Sequence, residues 1–196
     1  RASEERGTGI ARRTYEYIAT KMQQGKAVIA LDGDRFAGFC YIESWGHNRF
    51  VANSGLIVAP AYRGKGLAKR IKKKAFELSR TKFPDAKLFG LTTGLAVMKI
   101  NTELGYRPVT FSELTDDQDF WKGCQSCVNY DILMRTQRTK CLCTAMLYDP
   151  IWEMEKKAGK NGAKGKVIPF RRWLGGDTSQ GYASPLKTKL KLFKKQ

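Results

Sequence analysis

Acidic side chains are scarce in this chain. Across 196 residues, 18 Asp and Glu stand against 36 Lys and Arg, a formal net charge of +18, and an excess of that size attracts phosphates, nucleic acid or an anionic surface. Long apolar runs are also lacking: stretches such as Ala27–Leu31 fall far short of the ~20 residues needed to cross a bilayer, so no transmembrane segment is expected. Arg1–Gly9 has neither an apolar core nor a small-residue cleavage site, which excludes a visible export signal, and the start at Arg1 reads as a truncated or processed N-terminus. No internal repeat occurs. Five cysteines, an odd number, in a chain without an export signal point to thiols or metal ligands rather than disulfides, and to a cytoplasmic setting.

Hydrophobic residues, at 42%, suffice for a packed core, and their spacing predicts where it forms. Thr14–Gln24 reads as a short amphipathic helix stopped by Gly25. Lys26–Leu31 and Phe36–Trp45 read as strands joined by a turn at Asp32-Gly33-Asp34, and Phe50–Val58 as a third strand with a bulge at Ser54-Gly55. Leu67–Phe83 is a helix with Leu67, Ile71, Ala75 and Leu78 on one apolar stripe and Lys69, Arg70, Lys72 and Lys73 off it. Lys87–Thr92 is a strand and Leu95–Leu104 a helix closed by Gly105. Val109–Phe111, Val128–Met134 and Leu142–Leu147 are further strand-like pieces. Strands interleaved with helices predict a mixed α/β sheet.

The chemistry concentrates where the third strand passes through Ala59-Pro60-Ala61-Tyr62 into Arg63-Gly64-Lys65-Gly66-Leu67-Ala68. A helix N-terminus offers unpaired N–H groups and a positive dipole end, and the two glycines let the backbone close around a pyrophosphate. The spacing matches neither the Rossmann nor the Walker pattern.

Arg63–Ala68 resembles the R/Q-x-x-G-x-G/A motif of the GNAT superfamily of acetyl-CoA-dependent N-acyltransferases. Leu56–Arg63 is similar to that family's run from strand to pyrophosphate loop, and Ile100–Tyr106 to its helix ending in Leu-Gly-aromatic; the resemblance spans about residues 13–110. It implies a mostly antiparallel, splayed sheet flanked by helices, with acetyl-CoA or another short acyl-CoA as donor. By position, the backbone of Leu56, Ile57 and Val58 would pair with the pantetheine arm. The N–H groups of Arg63, Gly64, Lys65, Gly66, Leu67 and Ala68 would hold the pyrophosphate. Where many relatives carry a glutamate base this chain has Ser54, and where many carry a tyrosine acid it has Asn101. Glu43 and His47 are therefore the candidates for relaying a proton, with Asn101 near the cofactor. Ala52–Val58, Phe89–Asn101 and Phe120–Cys124 are similar to a narrower subgroup described as N-acetylglutamate-synthase-like, found in arginine-biosynthesis operons. That likeness implies an amino-acid amine such as glutamate as acceptor, with Arg12, Arg13, Lys99 and Arg107 available for its carboxylate. A protein lysine, a polyamine or another small amine is the alternative acceptor. The family's opening strand has no counterpart in the thirteen residues before the first helix, and is expected to be missing.

Cys124-x-x-Cys127 and Cys141-x-Cys143 supply two thiol pairs that a hairpin of Val128–Met134 and Leu142–Leu147 would bring together as a structural zinc site; reduced structural thiols or a redox pair are the other readings. Cys40 is expected to be a buried small hydrophobe. Residues 1–150 are read as the acyltransferase domain and 151–196 as a basic, Gly/Lys-rich extension. The extension carries 12 basic and three acidic residues, and it is either a solvated tail or an arm for an anionic partner such as nucleic acid.

Overall fold

The computed structural model describes residues 13–161. Thr14 opens helix α1 (Tyr15–Gln23), its hydroxyl accepting from the Tyr17 N–H at 3.2 Å, and Gly25 leaves it in the left-handed region at φ 60°. Strand β1 (Ala27–Asp32) turns at Gly33 into β2 (Arg35–Trp45), which turns again through Gly46–Arg49 into β3 (Phe50–Val58). Helix α2 (Leu67–Lys82) crosses back over the sheet and delivers β4 (Lys87–Thr92). Helix α3 (Leu95–Glu103) and β5 (Arg107–Val109) follow, then two short helices, α4 (Gln118–Lys122) and α5 (Tyr130–Arg135), then β6 (Thr144–Tyr148) and helix α6 (Pro150–Asn161).

The six strands form one sheet in the order β1-β2-β3-β4-β6-β5. Only β3 and β4 run parallel, as a strand–helix–strand crossover requires; the other neighbours are antiparallel. Alternation along the central strands feeds two cores. Val51, Leu88 and Met146 meet Ile71 and Ala75 of α2 on one face, while Ala52, Phe89 and Leu147 meet Phe111, Trp121 and Leu133 on the other. Each fully buried Leu, Ile or Phe contributes about 1.5–3 kcal/mol. The seating of α2 depends on Gly38: a Cβ there would lie 2.5 Å from Ile71 Cδ1 and 2.8 Å from the Ile57 carbonyl, so a larger residue would lift the helix off β2.

The strands and long helices lie within a residue or two of their expected positions, and Cys40 is fully buried. Val128–Met134 is not a strand. Tyr130–Arg135 is helical, burying Leu133 and leaving Val128 and Met134 exposed; short apolar runs carry too little period to separate strand from helix. The hairpin expected to join the cysteine pairs therefore does not form, and β6 pairs with β4 and β5 instead. Helix α4 was not anticipated; it starts at Asp117, whose carboxylate accepts from the Asp119 N–H at 3.0 Å and the Gly46 N–H at 2.9 Å. Residues 151–161, at the head of the basic segment, belong to α6. The rest of the basic extension with its expected anionic partner, Arg12, and the place of the expected missing first strand lie outside the described residues.

Candidate active site

The central feature is a fork. β3 and β4 pair only over Phe50–Ala52 and Lys87–Phe89; beyond that point β3 stays with β2 and β4 with β6, so the two backbones part. The wedge opens into a cavity of about 860 Å³, within the size range of small-molecule and cofactor sites. Its β3 wall carries the bulge, where the register with β2 shifts between Phe39 and Tyr41. Gly55 sits there at φ 65°, and a Cβ would come within 2.6 Å of the Tyr41 ring. Only glycine satisfies both conditions.

Downstream, β3 leads to the exposed loop at the start of α2. Gly64 and Gly66 take φ of 76° and 75°, and no atom lies within 4 Å of where their Cβ atoms would stand. Gly66 caps α2 without a side-chain hydrogen bond, so the first-turn N–H groups are left for an anion. Arg63 points back, its Nε donating to the Val58 carbonyl at 3.1 Å.

One wall of the cavity is charged. Lys21 Nζ of α1 lies 2.6 Å from the Glu43 carboxylate of β2, and the Tyr17 hydroxyl donates to the same carboxylate. Burial, with the bond to Glu43 adding to it, pushes the Tyr17 phenol well above its ordinary range, so it stays a neutral donor. Arg13 Nε donates to the Tyr41 hydroxyl at 3.1 Å.

The fork's floor is polar, which residue patterning did not foretell. Lys72 is only 2% exposed although it sits off the predicted apolar stripe. It shares an inward row with Ala75 and Ser79, three and seven residues on. Its Nζ donates to the Asn53 carbonyl at 3.4 Å and lies 5.8 Å from the Tyr106 ring centre. The Asn53 side chain is held by the Tyr106 hydroxyl at 2.9 Å and by Ser79 Oγ at 2.8 Å. Opposite, Asn101 is 1% exposed and its Oδ1 has no partner. A buried acceptor left unpaired costs about 1–3 kcal/mol, so a ligand donor there would relieve it.

Of the residues nominated from sequence, Glu43, Leu56, Ile57 and Asn101 line the cavity. Val58 is buried at the end of β3, Arg63–Gly66 lie along the loop beyond it, and Leu67 and Ala68 open α2. His47 is exposed in the β2–β3 turn at φ 56° and does not line the cavity; the apolar and glycine positions around it gave no sign that the turn faces away. Lys99 is exposed, and Arg107 stacks on Trp152 at 4.5 Å; of the three nominated cations among the described residues, Arg13 lines the cavity. Tyr17, Lys21 and Lys72 carry no such signal in the sequence: Tyr17 fits the apolar stripe of a short helix with Ile18 and Met22, and isolated lysines on helices read as solvated.

Cys124, Cys127, Cys141 and Cys143 also line the cavity as free thiols. Burial pushes Cys124 to about 11 and Cys143 to about 12, so both are protonated at neutral pH. Among the described residues no three Cys, His, Asp or Glu side chains form a metal-ligating group. The expected zinc site is thus not supported: with α5 in place of a strand, Cys141 Sγ donates to the Asn129 carbonyl at 4.0 Å and Cys127 Sγ accepts from the Asn129 N–H at 3.4 Å.

A forked parallel pair, a bulged strand on one side of the wedge and a glycine loop opening the crossover helix together define an acyl-CoA-dependent N-acyltransferase fold. Residues 2–96 match the family model described as Acetyltransferase (GNAT) family, and the chain carries a GNAT acetyltransferase domain. Among solved structures it is similar to N-acetylglutamate synthase from Neisseria gonorrhoeae complexed with coenzyme A and N-acetyl-glutamate, at 16% identity and a TM-score of 0.54, covering 76% of this chain and 30% of that one. It is also similar to Rv2747 from Mycobacterium tuberculosis in complex with CoA and NLQ, at 15% identity and a TM-score of 0.51, covering 71% and 84%. The chain thus spans less than a third of the length of the Neisseria synthase. No curated protein matches it. No helix among the described residues is long and apolar enough to cross a membrane.

Proposed function

We propose that this domain transfers an acyl group from acetyl-CoA, or another short acyl-CoA, to the amine of an amino acid such as glutamate, by direct attack on the thioester. The observation that carries this is the fork cavity, which is bounded by the bulged β3 and has a cation and a carboxylate on its wall. The backbone of Leu56, Ile57 and Val58 would pair with the pantetheine arm, and the N–H groups from Arg63 to Ala68 would take the pyrophosphate. The acyl carbonyl would then face the bulge, where a backbone N–H would stabilise the oxyanion. Asn101 offers its unpaired oxygen to the cofactor's amide or the acceptor.

Arg13 supports an acceptor bearing a carboxylate, since its guanidinium is anchored by Tyr41 and is on the cavity wall. Glu43 would receive one proton from the acceptor's ammonium group, which must be neutral to attack. Lys21 and Tyr17 hold that carboxylate in place. The synthase from Neisseria gonorrhoeae, with N-acetyl-glutamate in its structure, shares the fold and is compatible with this acceptor and with a role in arginine biosynthesis. Residues 1–150 would form the acyltransferase domain, in a cytoplasmic setting that suits five free thiols. Residues 151–196 would be a basic extension able to meet an anionic partner.

Calorimetric titration with acetyl-CoA and succinyl-CoA, then thiol release with glutamate, ornithine, a lysine peptide and spermidine, tests this. Saturable acetyl-CoA binding with glutamate-dependent release is expected. Release driven only by the peptide or spermidine overturns the acceptor, and absence of binding overturns the function.

A further inference from the structure

The reaction moves a second proton, and none of the groups so far assigned handles it. Once the neutral acceptor amine has attacked the thioester, the new C–N bond leaves a positive nitrogen that must lose a proton. The C–S bond then breaks, leaving a thiolate that must gain one. The position where many relatives carry a tyrosine acid is Asn101, whose amide does not titrate.

We propose that Lys72 shuttles this proton, its amine taking it from the attacked nitrogen and handing it to the departing CoA thiolate. This rests on the acyltransferase function proposed above. Lys72 lines the fork cavity, and its Nζ is held 3.4 Å from the Asn53 carbonyl. A Cβ built on Gly90 would lie 4.0 Å from that carbonyl oxygen and 3.9 Å from Asn101 Nδ2, so Lys72 and Asn101 flank one point where β3 and β4 separate. The ring of Tyr106 and the pair Asn53–Ser79 leave the amine little freedom to turn elsewhere.

The groups facing Lys72 are the Cys40 thiol from β2 and the Tyr106 phenol before β5. Burial raises both above their ordinary values, so both are neutral at pH 7. Among the described residues no carboxylate pairs with Lys72. Burial therefore holds its amine below the ordinary lysine range. The protons balance over the cycle: Lys72 ends in the state in which it began, Glu43 returns the ammonium proton to water, and the products are the amide and the free CoA thiol.

The test compares full-length wild type with Lys72→Met, using acetyl-CoA and whichever acceptor of the panel above gives the fastest thiol release. Methionine fills a similar volume, so the fold should persist; Lys72→Gln takes its place if cooperative melting is lost. General acid–base catalysis is worth about 100-fold or more, so kcat should fall by about that factor while the acetyl-CoA Kd stays within about threefold. The ratio of wild-type to variant kcat should shrink as pH is lowered, because acid protonates Lys72 and disables the wild type only; a structural role would leave the ratio flat. Equal kcat values, or a flat ratio, overturn the shuttle alone. Stoichiometric acetylation of Lys72 itself, seen by mass spectrometry during turnover, also overturns it, since an amide cannot carry a proton. Wild type that binds no acetyl-CoA overturns both the shuttle and the function beneath it.

Discussion

The first two turns of α2 serve two regions of opposite character. At its start, Gly64 and Gly66 stand in open space and offer only backbone. Barely two turns on, Lys72 is enclosed with Asn53, Tyr106 and Ser79 in a buried polar cluster. The loop needs no side chain: the proposed pyrophosphate contact would use its uncapped N–H groups and the helix dipole. The floor needs side chains from α2, β3 and the chain after α3 at once, and loses its character if one is removed. The proposed ligand-binding element is thus purely local, while the proposed proton-handling element on the same helix is assembled from distant parts.

The comparison breaks most sharply at the loop. Gly64→Asp combined with Gly66→Asp should weaken acetyl-CoA binding at least about 100-fold, since facing like charges cost several kcal/mol. The far-ultraviolet circular dichroism should stay native, and calorimetry reads the affinity. Glu43→Gln comes next: it strips Lys21, whose side chain is 10% exposed, of its charge partner, and urea unfolding should show a loss of roughly 1–3 kcal/mol. Lys72→Met should act on stability in the other direction and with a pH signature. The Lys72 pKa is lowered in the folded state, so the unfolded chain binds more protons and wild-type stability rises with pH up to about the unfolded lysine value near 10.4. Between pH 7 and 9.5 the urea midpoint of wild type should climb relative to the variant. The smallest effect belongs to His47→Ala, which should leave turnover unchanged and stability within about 0.5 kcal/mol, because the side chain is exposed and away from the cavity. A large loss of kcat there would move the proton relay out of the fork.

The elements that build the fork could be read from the chain because alternation and punctuation are local. Phe50–Val58 and Lys87–Thr92 alternate between two cores, Ser54-Gly55 marked the bulge, and Gly25 and Gly105 marked helix ends. Val128–Met134 misled because seven residues with a few apolar members fit either period, and only the burial of Leu133 against Phe89 and Trp121 decides for a helix. The cysteine spacing suggested a metal centre, but which atoms a thiol meets depends on the path of α5 and not on its distance along the chain. Glu43 was chosen as the end of a strand; its partners Tyr17 and Lys21 come from α1, 26 and 22 residues earlier.

By itself, then, the amino-acid sequence determined the glycine loop, the bulged strand and the crossover helix, because positive φ, strand alternation and helical stripes are properties of a few adjacent residues. The tertiary structure alone decided which charged side chains face water and which face the cavity. Lys72 and Lys73 are neighbours of identical type, yet the first is buried and the second exposed, because only the first points to the place where β3 and β4 stop pairing.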